Sequence, residues 1–532
     1  MDLDMSLPPP SWQLAVGTVV AVAAYALLAP KKKGPKRRLS FTSQIMAAGS
    51  WPSGFDMAEP IINAVLTFPK APKLDDVRVL IRRLMAYDRM GGSISKDSSG
   101  AWGFDKRSAP PTDAEVAKHL TVVEVDGTAA LWAKAHEICM QGLQGPDKAT
   151  DPWWEFVLLQ NSKGRNGGGA GERGESAVVV RVHHIIGDGI ALVGLVRAMM
   201  TTTDGKPIPD YFAAAATKAR KESKPGSGLA AQAAHVLKVA SAAATCLTLG
   251  MTPYDSDLAF TAPNKKTLQY TKKRRTVLLP DVGLSFIKKL KDAATARSGG
   301  QRTTVNDVLF AASTGAIRRY CQGRNDPLLP AEDKEGLDSA TKLQMRALLP
   351  VSFPRKADIT DPARALRNLW CFVSCSMPIG SGGVLGRIAA ARDATAAVKP
   401  PASFVAPVQL WIQNKLLPHL PLFLSRQTCY DTFTRHSCIF TNVPGPPSRI
   451  LWAGAEVTGM QMVFPNLISQ VSFISYGETV FGNCVVDDDV VTEPEALRAL
   501  YVKELQDVAA ALGVPFEKAV AQREAELKGL GL

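Results

Sequence analysis

Apolar and polar positions in this chain follow two periods, and the clearest switch between them lies at 176–199. Val178, Val179 and Val180, followed by the alternation Arg181/Val182, predict a buried strand. The strand runs into His183-His184 and a short turn. Ile190, Val193, Leu195/Val196 and Met199 then recur at helical spacing. The same reading predicts a helix over 74–87, with Val77, Leu80/Ile81, Leu84 and Tyr87 inward and Arg78, Arg82 and Arg83 outward. It predicts a strand at 121–125, a helix at 129–143 and a strand entered through the turn 151–154. The Gly-rich stretch 160–176 reads as the hairpin loop before the histidine-bearing strand.

The second half repeats the alternation. Strands are predicted at 275–279, 348–352, 369–377, 438–443 and 469–476. The last pairs with 480–486 across Gly477-Glu478. Helices are predicted at 282–294 and from Thr304 onward, where Val308/Leu309, Ala312, Ala316 and Tyr320 share a face. Thr492 and Glu495 read as a capping box opening the last helix. The apolar stretch 403–424 carries Pro407, Pro418 and Pro421 and reads as core packing or as a lipid-facing mouth. Strands interleaved with helices give an α/β class.

A chain of 532 residues needs more than one core. The divisions predicted are 1–40, 41–200 for the first main domain, 201–266 for a crossover holding an Ala-rich helix near 229–249, and 267–532 for the second. Within 1–40, residues 12–29 are uncharged, an 18-residue run spanning about 27 Å as a helix. That length predicts a short transmembrane anchor, with an organelle-targeting or interfacial segment as the alternative. Acidic Asp2 and Asp4 precede it and Lys31, Lys32, Lys33, Lys36, Arg37 and Arg38 follow, an order unlike a cleaved signal peptide. The positive-inside rule places everything after Lys31 in the cytosol.

The net charge of +13 is partly this cluster, which suits an anionic membrane surface before it suits nucleic acid. No zinc finger, basic heptad or aromatic RNA motif accompanies it. The eight cysteines are scattered without metal-ligand spacing and read as reduced thiols. The sequence contains neither a P-loop nor a serine-hydrolase elbow. Asp487-Asp488-Asp489 reads as a solvated acidic turn rather than a metal site.

The candidate chemistry centres on His183-His184-x-x-x-Asp188-Gly189. Successive strand residues face opposite ways, so one histidine alone can face a given cleft. A neutral imidazole accepts a proton from a hydroxyl and returns it if its tautomer is held. Asp188 is expected to fix the turn, and Gly189 to supply a φ that other residues resist. Asn306 and Asp307 open a helix, as capping chemistry or as site contacts. Pro152, Trp153 and Trp154 precede a buried strand, as core or as wall. Asn442-Val443-Pro444-Gly445-Pro446 ends a strand in a rigid turn.

Together these motifs, with Ser475-Tyr476-Gly477, resemble the bifunctional wax ester synthase/diacylglycerol acyltransferase (WS/DGAT) family, from about residue 55 to the C-terminus. That family belongs to the superfamily of condensation domains and chloramphenicol acetyltransferase. The chain departs from it in Pro152-Trp153-Trp154, where Pro-Leu-Trp is usual, and in Arg367-Asn368, where Gly-Asn is usual. The resemblance implies two chloramphenicol-acetyltransferase-like α/β domains, mixed sheets with covering helices and a tunnel between them, added to the N-terminal transmembrane helix.

It implies transfer of a long-chain acyl group from acyl-CoA, a co-substrate, to a fatty alcohol or diacylglycerol, with no metal or redox cofactor. His184 would be the general base, with His183, Asp188 and Gly189 beside it. Asn306, Asp307, Pro152, Trp154, Asn442, Pro444 and Gly445 would shape the tunnel. The partners implied are the two substrates and membrane lipid, without nucleic acid. The endoplasmic reticulum is the expected membrane, with the plastid envelope as alternative. The rival readings are another hydroxyl or amine acceptor, or a non-catalytic lipid-binding scaffold.

Overall fold

The computed structural model describes residues 39–40, 42–43, 46, 59–96, 102–143, 152–161, 176–209, 229–261, 273–329, 343–353, 366–399, 402–417 and 430–531. The expected anchor, the basic cluster after it, most of the 160–176 loop and residues 418–424 lie outside the described residues.

In chain order the first half holds β1 (Ile61–Phe68), α1 (Leu74–Leu84), α2 (Asp88–Gly91), β2 (Ser93–Lys96), β3 (Trp102–Asp105), α3 (Asp113–Ala117), β4 (Leu120–Val125), α4 (Thr128–Met140), β5 (Trp154–Asn161), β6 (Ser176–His183), α5 (Gly189–Met199), β7 (Thr201–Thr202) and α6 (Leu229–Thr248). The second half holds β8 (Arg274–Gly283), α7 (Leu284–Arg297), α8 (Val305–Gly323), β9 (Arg346–Ser352), β10 (Trp370–Ser376), α9 (Val384–Ala397), α10 (Val405–Lys415), β11 (Cys438–Pro444), β12 (Ile450–Trp452), β13 (Ala455–Glu456), β14 (Gly459–Val463), β15 (Ser469–Tyr476), β16 (Thr479–Asp487), α11 (Ala496–Leu512) and α12 (Lys518–Gly529).

Two mixed sheets organise these elements. The first has the order β14-β1-β6-β5-β4, parallel only between β4 and β5. The second has the order β10-β9-β11-β15-β16-β8, with β9, β11 and β15 parallel. Strands β5 and β6 are buried along nearly their whole length, as central strands covered on both faces must be. One face of the first sheet packs on α1 and α5. The other packs on α4 and on Leu278, Val485 and Leu527 of the second half. The second sheet lays Phe440, Phe473 and Val471 against α7, α8, α9 and α11.

The two halves are not cleanly divided at the crossover. β14 leaves the second half to pair antiparallel with β1, Gly459 opposite Thr67, and β12 pairs with β7. Strand exchange of this kind is set by where the second sheet delivers the chain, which no local pattern encodes.

Four local expectations change. β8 extends to Gly283, because Val282 and Gly283 continue the ladder with Val480 and Thr479, and α7 starts only at Leu284. Glu495 forms no capping box. Its carboxylate pairs with the Arg275 guanidinium, and Thr492 presents its carbonyl to Tyr320 Oη and Arg324. Pro407 does not break α10, because it falls in the first turn, where its missing N–H has no helical acceptor to lose. The acidic turn is paired rather than only solvated: Lys273 meets Asp489 at 3.0 Å, Arg275 meets Asp488 at 2.9 Å, and Asp487 is buried 3.8 Å from Arg274.

Candidate active site

β6 ends at His183, and the chain leaves the first sheet towards the second. The turn that follows is held from every side. His184 N–H donates to the Pro60 carbonyl (2.7 Å), Ile186 N–H to that of His183 (3.0 Å) and Asp188 N–H to that of Arg367 (3.2 Å). Arg89 donates to the Ile185 and Ile186 carbonyls at 3.1 and 3.2 Å.

The two histidines part company here. His183 is buried, its Nδ1 accepts the Ile185 N–H (3.2 Å), and the Trp153 ring stands edge-on to it at 4.7 Å. His184 instead reaches the second half of the chain. Its ring lies 5.3 Å from that of Trp370, which opens β10, and 6.0 Å from Phe464, just beyond β14. It remains partly accessible.

The partner of His184 is Asn368. Asn368 Nδ2 donates to Ser43 Oγ (2.8 Å) and to the His184 carbonyl (2.5 Å), which fixes the amide orientation and turns Oδ1 towards His184 Nδ1 (2.9 Å). An amide oxygen can only accept, so His184 Nδ1 carries the proton and Nε2 keeps its lone pair. Burial pulls the His184 pKa below the ordinary histidine value, while the negative charge of Asp188 pulls it back up. A ring held neutral with an oriented lone pair is the form a proton acceptor needs.

Asp188 is both a cap and a clamp. Its Oδ1 accepts the Ala191 N–H (2.9 Å), closing the first turn of α5, and its Oδ2 accepts the Leu369 N–H (2.8 Å) from the segment that carries Asn368. The expected role of Gly189 is corrected. Its φ is not positive, it is the first residue of α5, and a Cβ there would meet nothing within 4 Å.

A second group forms around the start of α8. Asn442 Nδ2 donates to Asn306 Oδ1 at 3.4 Å, joining two motif residues 136 positions apart. Asp307, expected at a tunnel wall, is buried and fully engaged in structure. Its Oδ2 accepts the Thr304 N–H (2.8 Å) in a capping box, and its Oδ1 accepts Thr395 Oγ1 of α9 (2.5 Å). Cross-strand register puts Trp370, Ser352 and Pro444 at the same end of the second sheet, outside the carboxyl ends of its parallel strands. Asn442 shares a face with Phe440, against α8, whereas Trp370 shares the opposite face with Phe372.

The remaining expectations divide. Trp154 is 1% exposed, stacks on His119 at 4.0 Å and donates Nε1–H to the Met90 carbonyl (2.7 Å), so it is core rather than wall. Its indole is too large to stay at a polar opening when both faces and its N–H find partners inside. Pro152 is half-buried at the entry to β5. Pro444 is exposed. Gly445 is buried with its N–H on the Ser475 carbonyl (2.8 Å), and a Cβ there would come within 2.4 Å of that oxygen.

A cavity of about 440 Å³ lies between the sheets, lined by Thr67, Gly459, Asp281, Phe481, Arg523 and others, and by none of the expected tunnel residues. It sits at the far end of β1. Ile61 pairs with His183 and Thr67 with Gly459, a separation of roughly 20 Å at about 3.4 Å per residue.

Comparison with known proteins bears on the same segment. The WS/DGAT C-terminal domain matches residues 367–509, beginning at Arg367-Asn368. A curated protein of Mycobacterium tuberculosis, named as a candidate diacylglycerol O-acyltransferase, is 24% identical over 351 residues. That alignment covers 62% of this chain and 61% of the relative's length. Wax ester synthase/diacylglycerol acyltransferase 6 of Arabidopsis thaliana is 22% identical over 468 residues, 81% of this chain and 86% of its own. Among solved structures, the wax ester synthase/diacylglycerol acyltransferase from Marinobacter aquaeolei VT8 superposes with a TM-score of 0.56 at 16% identity. It covers 90% of this chain and 100% of that one, a likeness of fold.

Proposed function

We propose that this chain, a member of the WS/DGAT family, transfers a long-chain acyl group from acyl-CoA to the hydroxyl of a fatty alcohol or diacylglycerol, with His184 as general base. The observation that carries this reading is the His184–Asn368 hydrogen bond, which leaves Nε2 unprotonated between the two sheets. Nε2 takes the proton of the acceptor hydroxyl as its oxygen attacks the thioester carbonyl. The tetrahedral oxyanion collapses, the C–S bond breaks, and the proton passes from Nε2 to the departing CoA thiolate. Products are an oxygen ester and free CoA, and the histidine ends neutral as it began. Such a base contributes about 10²–10⁴ in rate.

Asp188 supports the reaction at one remove. Its bonds to Ala191 and Leu369 hold the turn that aims the ring, and its charge stabilises the imidazolium that forms during transfer. Asn306, turned by Asn442, is assigned to steady the acyl carbonyl as charge develops on its oxygen.

The test uses the full chain in membranes with labelled palmitoyl-CoA and either hexadecanol or diacylglycerol. Labelled wax ester or triacylglycerol is expected from the wild type and is lost with His184→Ala. Product that persists in the variant removes His184 as the base. An inactive, folded wild type with both acceptors redirects the search to other hydroxyl or amine acceptors.

A further inference from the structure

Asp188 fixes the backbone beside Asn368, through the Leu369 N–H, but not the amide at the end of the Asn368 side chain. The last torsion of an asparagine is broad and nearly twofold, so its oxygen and nitrogen can exchange places without a change of volume. For His184 the two placements are opposites. With Oδ1 towards Nδ1, the imidazole carries its proton on Nδ1 and Nε2 is bare. With Nδ2 there instead, Nδ1 must accept and the proton moves to Nε2, which then has no lone pair to offer a hydroxyl. The amide selects the histidine tautomer, and whatever orients the amide decides whether the ring is a base.

Two acceptors hold the amide nitrogen. One is the His184 carbonyl, local to the motif. The other is Ser43 Oγ at 2.8 Å, 325 positions away. Ser43 has no exposed surface, and it arrives on a segment that is itself docked. Leu39 is buried in the first core, its N–H donates to the Trp102 carbonyl of β3 (3.2 Å), and Met46 is buried as well. Ser40 backs the contact. Its Oγ lies 3.0 Å from Ser43 Oγ, where either hydroxyl can donate, and it accepts the Ser43 N–H at 3.4 Å, the bond a capping serine takes from the residue three on. In the flipped placement Asn368 Oδ1 would meet the carbonyl oxygen of His184, acceptor against acceptor.

We propose that Ser43 is a positioning residue for His184. By accepting from Asn368 Nδ2 it holds the amide in the placement that keeps the proton on Nδ1. A segment that precedes β1 in the chain thereby sets the protonation state of a ring at the end of β6. Without Ser43 Oγ a buried N–H of the amide loses its acceptor, and the amide is held from one side alone. The consequence for turnover rests on the acyltransferase reading; the tautomer does not.

The experiment uses the full chain carrying nitrogen-15-labelled histidine. The chain has seven histidines, and His184 is assigned by the signals lost in His184→Gln. At a pH of about 8, where an ordinary histidine is neutral, the wild type is expected to show a protonated Nδ1 and a bare Nε2. In Ser43→Ala the two shifts should move towards each other as the tautomers mix. A His184 spectrum that Ser43→Ala leaves unchanged overturns the proposal. So does a wild type with its proton on Nε2.

A double-mutant cycle reads the same link in turnover. Ser43→Ala should lower kcat about fivefold with KM within about twofold. Ser43→Ala/Asn368→Ala should be no worse than Asn368→Ala alone, about tenfold down, since both act through one amide. Independent roles would multiply to about fiftyfold, and that result overturns the proposal. A Ser43 that only filled space would lower the melting temperature of its variant, leave the spectrum alone and give such a product. A wild type inactive on every acceptor refutes the acyltransferase reading instead, and the nitrogen spectra then decide the role of Ser43.

Discussion

In α5 and α8 a buried aspartate at the N-terminal end, the cap Asp188 and the third-position Asp307, does more than close the first turn, and the two helices use it differently. In α5, Asp188 gives one oxygen to its own helix and the other to Leu369, in the opposite half of the chain. In α8, Asp307 gives one oxygen to its own capping box and the other to Thr395 of the neighbouring α9, within the same core. Both carboxylates are buried and both occur in motifs that invite a catalytic reading. Chemistry at a helix N-terminus is thus the same at the two places, and the destination of the second oxygen separates them. Asp188 spans the seam at which His184 is aimed. Asp307 locks a wall of the second domain.

The comparison breaks most readily through the two aspartates. Asp188→Ala should lower turnover per folded molecule about a hundredfold, because a ring displaced by about 1 Å loses that much. Asp307→Ala should leave turnover within about threefold while lowering unfolding free energy by about 2–4 kcal/mol, the loss of a cap and a buried charged hydrogen bond. Urea unfolding paired with single-turnover assays of the purified full chain reads both. If Asp307→Ala abolished turnover in a stable protein, Asp307 would belong to the substrate path after all.

Asn368 sharpens the seam side. Asn368→Ala should reduce kcat about tenfold with little change in KM, since the Nδ1–H loses its acceptor and Nε2 no longer holds the lone pair alone. Asn368→Asp restores an acceptor but brings a negative charge, so activity should partly return with its acidic limb at higher pH. A pH profile of kcat/KM separates these variants from one that merely loosens the fold.

The pH dependence of the wild type follows from burial. With its pKa depressed, His184 stays neutral below the ordinary histidine value, so the acidic limb of kcat/KM should fall below about pH 6.5. Stability has its own acid limb. Burial depresses His119 and His136 to about 4, and unfolding releases them to ordinary values near 6.5. The unfolded chain then binds more protons, so stability is complete above about pH 6.5 and is lost as pH falls towards 4. Thermal melts across that window should show the loss. His119→Phe, which keeps the stack on Trp154, should remove part of it.

The smallest contrast is between two motif glycines. Gly445→Ala would drive a Cβ to 2.4 Å from the Ser475 carbonyl and should destabilise by about 1–3 kcal/mol. Gly189→Ala meets open space at the first position of a helix and should change stability by less than about 0.5 kcal/mol. Any larger loss of turnover than of stability at Gly189 would place that open space in a substrate's path.

Much of this molecule is legible in its sequence. The strand and helix around 176–199, the Thr304 cap of α8 and the hairpin at Gly477 follow from periodicity and turn chemistry within a few residues. That His183 and His184 diverge follows from strand alternation alone. Other features needed the tertiary structure, because their causes lie far apart in the chain. Asn368 holds His184 from 184 positions away and was visible only as a motif residue of open role. β14 reaches β1 across some 400 residues, and Asn306 meets Asn442 across 136. Trp154 and Asp307 looked like wall residues until packing gave each a full set of internal partners. Local sequence determines which groups are available and where helices and strands begin. Only the paired sheets decide which of those groups meet, because a contact between distant segments depends on the whole topology that brings them together.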